Sequence, residues 1–156
     1  MLSARANTPA RGETLIESLI ALALMAFGLL GMVKLQGDSV VHAREAQYRA
    51  EAQMLAHELI GTLWTDRANL AAYAHRPGGS VCTRSGANTS LDNAGNWLAE
   101  FTSAGGTRYL PGATADMQQI VVDATTTPPT VRVHLCWQPP QAAGPSNVVV
   151  VAQIPL

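Results

Sequence analysis

The sequence predicts an α+β protein in which a long N-terminal helix, strongly apolar over its first half, packs on a small antiparallel β-sheet head. Two observations carry this reading. Residues 15–33 run LIESLIALALMAFGLLGMV, with Glu17 as the single charge, and no proline interrupts residues 35–74. The last third then holds three Val-rich runs separated by Pro128-Pro129 and Pro139-Pro140, the punctuation expected between short strands.

The apolar block is close to the roughly 20 residues that a helix needs to cross a bilayer. Arg5 and Arg11 precede it and Lys34 follows it. The two arginines hold the N-terminus in the cytoplasm and send the later residues outward, with Lys34 as one opposing charge. A secretory signal peptide with a cut near Ala21, Ala23 or Ala26, a simple signal anchor and a buried core helix are the competing readings. The unbroken continuation into further helix argues against the signal peptide.

Residues 35–74 are rich in Ala, Glu, Gln, Leu and Arg, and Glu45 with Arg49 forms a favourable i,i+4 pair. Leu55, Leu59 and Leu63, with Ile60 and Trp64, make an apolar stripe at helical spacing, which predicts a face packed on the head. One helix is therefore expected from about Thr14 to Tyr73, with Gly28, Gly31, Gly37 and Gly61 as places where it can bend. His75-Arg76-Pro77-Gly78-Gly79 ends it. Residues 76–117 read as a loop-dominated connector rich in Gly, Ser, Asn and Thr, with a short helix at 97–101. Strands are expected at 119–124, 130–137 and 147–154, joined as an antiparallel meander. In the second, Val131, Val133, Leu135 and Trp137 alternate with Arg132, His134 and Cys136, the pattern of one buried face.

Arg11-Gly12-Glu13-Thr14-Leu15-Ile16-Glu17, followed at once by the apolar run, resembles the processing site of type IV prepilins and the related pseudopilins. The resemblance implies a pilin-like fold and a leader, residues 1–12, removed by prepilin peptidase between Gly12 and Glu13. It also implies N-methylation of the new terminus. The family carries Phe or another large apolar residue after the glycine, and this chain departs from it with Glu13. Phe27-Gly28-Leu29-Leu30-Gly31 through Leu35-Gln36 further resembles the corresponding stretch of PilV-type minor pilins, and Lys34 stands where many major pilins have proline. The likeness covers about the first 60 residues. It divides the chain into leader 1–12, membrane and assembly helix 13–34, helix packed on the head 35–75, and extracytoplasmic head 76–156.

The resemblance implies a minor pilin held in inner-membrane lipid, with a cytoplasmic N-terminus and a periplasmic head, that joins other minor pilins and the major pilin to prime a pilus near its tip. Motility and adhesion would be downstream. A type II secretion minor pseudopilin and an unrelated membrane-anchored binding module remain as alternatives. Glu17, about 6 Å along the helix from Glu13, reads on its own as an acid snorkelling to the membrane surface. The resemblance gives it the amino group of a neighbouring subunit as partner. Cys82 and Cys136 both follow the apolar block, and in an oxidising periplasm a disulfide is expected, the alternative being two separate thiols.

Other chemistries find little support. His57-Glu58-Leu59-Ile60-Gly61 starts like a zinc-protease helix but has Gly61 where the second histidine belongs. His42, His75 and His134 lack ligand spacing, and Asp92-Asn93-Ala94-Gly95-Asn96 reads as a polar turn rather than a calcium loop. Asn88-Thr89-Ser90 is a glycosylation sequon in form only. Without the leader, eight basic residues face eleven acidic ones, leaving no basic surface for nucleic acid. No catalysis, no metal and no cofactor are expected.

Overall fold

A computed structural model describes residues 13–103, 106–140 and 142–155. The leader, with Gly12, lies outside the described residues, as does the side chain of Glu13. The chain divides into two compact units, Met1–Arg44 and Glu45–Leu156.

Helix α1 spans Glu13–Thr65 and passes unbroken through Gly28, Gly31, Gly37 and Gly61. It ends eight residues before the expected Tyr73. Thr62 and Thr65 turn their hydroxyls back onto the Glu58 and Thr62 carbonyls, and Asp66 leaves the helical conformation at φ −116°, ψ 49°. The chain then continues as a 3-10 helix, Arg67–Tyr73, closed by the Asp66 carboxylate, which accepts from Asn69 Nδ2 at 2.7 Å and Tyr73 OH at 3.0 Å. Side chains that bond nearby backbone compete with helix propagation, and here they win.

In the second unit, α1 buries Ala52, Leu55, Ala56, Leu59, Ile60 and Leu63, a stripe at i, i+3, i+4, i+7 spacing. Trp64 does not join it. It lies about 100° round the helix from Leu63, stays 40% exposed, and carries the Arg67 guanidinium 5.2 Å from its ring centroid.

The connector is more ordered than its composition suggests. Strands β1 (Gly78–Ser80) and β2 (Thr83–Ser85) form a hairpin across a two-residue turn, Val81-Cys82. Gly79 is required here: its φ is +88°, and a Cβ would run into the Thr83 carbonyl. Helix α2 spans Asp92–Thr102, so the expected polar turn at Asp92–Asn96 is instead its opening turns, and the helix is longer than the expected 97–101. Asp92 favours that end through the helix dipole, and Ala94, Trp97, Leu98 and Phe101 are buried. Trp97 donates Nε1–H to the Leu55 carbonyl at 3.1 Å, fixing α2 to α1.

A second 3-10 turn, Ala115–Met117, leads into β3 (Gln119–Asp123), β4 (Thr130–Trp137) and β5 (Ser146–Gln153). They form one antiparallel sheet in the order β3-β4-β5, the expected meander within a residue or so at its ends. Val131, Val133, Leu135 and Trp137 are fully buried on the core side, with Ile120 and Ile154. The opposite face is not left to solvent as the alternation suggested. His134 and Cys136 are also buried, because the β1-β2 hairpin is tied over that end of β4.

Candidate functional site

The N-terminal unit presents the most distinctive surface. Every large apolar side chain from Leu15 to Val33 is between 53% and 73% exposed. A helix that is apolar on all sides fits only an apolar environment, either a protein core or a membrane. This one is long and apolar enough to cross a membrane. Glu17 is exposed within this stretch, near its start, and among the described residues has no cationic side chain within ion-pair distance.

Cys82 and Cys136 are disulfide-bonded, with Cα atoms 5.6 Å apart, a usual separation. The bond closes a sequence separation of 54 and holds the hairpin turn against β4. Cys82 has φ +60°, a left-handed conformation that costs a non-glycine residue about 1–2 kcal/mol. The bond retains that conformation.

Beneath the hairpin is a polar cluster that gave no sequence signal. Arg84 donates Nη2–H to Nδ1 of His134, whose Nε2–H donates to the Asn147 side-chain oxygen at 3.2 Å. This assigns a neutral, Nε2-protonated imidazole. Burial pushes the His134 pKa down, and the Arg84 charge pushes it further in the same direction. A histidine held below its ordinary value of 6.5 binds protons more readily in the unfolded chain, so stability rises with pH between the folded and unfolded pKa values. Denaturant titrations of the full chain in detergent should therefore show a lower unfolding free energy at pH 5 than at pH 7.5. His134→Gln should flatten that difference, and a wild-type slope retained in the variant would assign the dependence to another group.

Gln118, fully buried, supplies another unforeseen link. Its Oε1 accepts the Cys136 N–H at 2.8 Å, and its Nε2 donates to the Cys136 carbonyl at 3.0 Å and to the Thr114 carbonyl at 2.8 Å. The carboxamide thus extends the β3-β4 ladder by one rung where β3 has not yet begun. Arg108 clamps its loop to α1 through Glu51, at 2.7 Å, and Glu58. His75 is buried as a packing residue, donating Nε2–H to the Ala115 carbonyl and accepting at Nδ1 from Thr89 N–H.

Among the described residues no group of three or more His, Cys, Asp or Glu is placed to hold a metal ion. No family model, curated protein or solved structure matches the chain.

Proposed function

We propose that the protein is a minor pilin of a type IV pilus, processed between Gly12 and Glu13, seated in the inner membrane by α1, and incorporated near the pilus tip, where it helps to prime assembly. The observation that carries this reading is a coincidence in one segment. A glycine, a glutamate five residues later and an apolar helix with every large side chain exposed follow one another directly. Two features of the head support it: a disulfide suited to an oxidising compartment, and the apolar stripe of Glu45–Thr65 packed on a small antiparallel sheet domain.

The mechanism is non-covalent once prepilin peptidase has removed the leader. In the bilayer the apolar segment is solvated by lipid tails. In the filament it packs against the equivalent helices of other minor pilins and the major pilin. That exchange replaces one apolar environment by another, so shape and polar pairing set the preference rather than the hydrophobic effect. Cleavage converts the Glu13 nitrogen into an amino terminus, methylated or not, and this cation on one subunit is the partner for Glu17 on its neighbour. The head then sets which neighbours are accepted, by the residues that it exposes.

The test is the intact mass and N-terminal sequence of the protein recovered from membranes of cells with and without prepilin peptidase. Loss of residues 1–12 only when the peptidase is present, leaving Glu13 first, is the expected result, and the mass also reports any added methyl. An uncut chain, or a cut near Ala26, would overturn the assembly mechanism in favour of a signal anchor or a secreted head.

A further inference from the structure

The two edges of the β3-β4-β5 sheet differ. On the β3 edge, Ile120 exchanges both backbone bonds with His75, at 2.9 and 3.0 Å, and the strand ends on the charged Asp123. Arg49 and Arg67 reach the Asn147 and Pro155 carbonyls at the two ends of the β5 edge, and between them, among the described residues, there is no such closure. Its bonding phase follows from two independent observations. Ile154 N–H donates to the Pro129 carbonyl at 2.9 Å, so alternation along an antiparallel ladder directs Ser146, Val148, Val150 and Ala152 toward β4. The outward Ile120–His75 pair fixes the same phase from the far side of the sheet. Asn147, Val149, Val151 and Gln153 therefore turn their backbone groups away from β4.

The Asn147 carbonyl receives Arg49 Nη1 at 3.5 Å. Among the described residues, no partner meets the N–H and C=O groups of Val149, Val151 and Gln153. The side chains of Val149 and Val151 are 44% and 54% exposed, and the strand SNVVVVAQ contains neither charge nor proline. Edge strands are ordinarily blunted by one of these, and an edge lacking both is a template for another strand.

We propose that this edge is a docking site for an extended, uncharged segment of another protein, rich in β-branched residues, which adds to β5 as a fourth strand of the sheet. Backbone bonds to Val149, Val151 and Gln153 provide the attachment, and packing beside the two exposed valines provides the preference for β-branched side chains. A second copy of this chain is a poor occupant. Arg49 and Arg67 of the α1 region reach the Asn147 and Pro155 carbonyls, at 3.5 and 3.0 Å, so residues 49–67 lie along β5. Two-fold pairing of β5 strands about 4.8 Å apart would set the Arg49 and Arg67 guanidinium groups of the two copies against one another along the shared edge. A single extended, uncharged segment brings no such groups with it.

The test uses the full chain in detergent micelles and a fluorescent octapeptide of alternating Thr and Val, N-methylated on every second residue so that only one edge can pair. Saturable binding is expected, and Val151→Pro should weaken it about tenfold by removing one outward N–H. The thermal transition should stay in place, because that N–H takes no part in the ladder to β4. If the proline variant does not fold, Val149→Lys with Val151→Lys leaves the backbone intact and should cause the same loss. The proposal is overturned by absence of saturable binding, by equal binding to a folded edge variant, or by equal binding of a peptide methylated on every residue. Light scattering that shows a dimer dispersed by Val151→Pro would assign the edge to a second copy and also overturn it.

Discussion

Replacing both Cys82 and Cys136 by Ala is expected to lower the unfolding free energy of the head by about 4 kcal/mol, the chain-entropy value for a loop of this length. The crosslink spans a sequence separation of 54, taking in β2, α2, β3 and most of β4, so its loss returns a long segment to full freedom in the unfolded chain. A smaller native-state contribution runs the other way. Cys82 is held at φ +60°, a conformation that costs a non-glycine residue about 1–2 kcal/mol, and breaking the bond lets the turn relax from it within the β1-β2 ladder. The non-covalent ties of the same region include Arg84 to His134, Arg76 to Asp116 at 2.5 Å, and Gln119 Nε2 to the Arg76 and Gly78 carbonyls at 3.1 and 3.4 Å. Asp116 is largely exposed, and an exposed ion pair contributes about 1 kcal/mol or less. These ties do not replace the covalent one. Urea titration of the full chain in detergent, with and without reductant, measures the effect. Reduced wild type should coincide with the double variant, and a loss below about 1 kcal/mol would show that the polar ties position the hairpin unaided.

The parts of the fold legible in the sequence are those with periodic burial. The stripe Leu55, Leu59, Leu63 and the alternation Val131, Val133, Leu135, Trp137 each specify a face, and each face is buried in the structure. The connector carries no such period. The β1-β2 hairpin has strands of three residues and turns on Val81-Cys82, which lacks the Asn-Gly or Asp-Gly signature of a tight turn. Its conformation is supplied by the disulfide, a constraint 54 residues away in sequence. The opening of α2 was obscured for a related reason. Asp92, Asn93, Gly95 and Asn96 are individually turn formers, and the helix exists because Ala94, Trp97, Leu98 and Phe101 fit the core. Trp64 shows the converse: it extends the apolar run but falls past the edge of the buried stripe. Of the candidate site, the apolar segment with Glu17 and the cysteine pair were legible, because length, charge and cysteine number are local properties of the chain. The Arg84-His134-Asn147 cluster and Gln118 were not, since they depend on which element covers the outer face of β4.

Substituting Glu17 by Leu is expected to leave the protein in the membrane and remove it from the filament. On the proposed function the two consequences have opposite signs. A carboxylate within a membrane-spanning helix costs up to about 2.5–3.5 kcal/mol at the bilayer centre and less near an edge, so Leu at this position favours insertion. In the filament the neighbour's amino terminus loses the counter-charge that the adjoining subunit supplies in an apolar setting, and keeps only the carboxylate of its own Glu13 side chain. Removing one partner of such a pair costs about 3–5 kcal/mol, because the other charge stays behind, which corresponds to more than a hundredfold in incorporation. The readout is the ratio of subunit in sheared filaments to subunit in membranes, measured for wild type, Glu17→Leu and Glu17→Gln. Glutamine keeps a hydrogen-bond acceptor without the charge and should fall between the other two. Equal incorporation of all three would make Glu17 a carboxylate that merely reaches the lipid headgroups. A fall in membrane level alongside the filament level would place its role in insertion rather than assembly. Because the proposed partner of Glu17 is the amino terminus that cleavage creates on a neighbouring subunit, a variant that blocks cleavage at Gly12 should match Glu17→Leu in the filament. Combining the two should add nothing further, since each removes one half of the same pair.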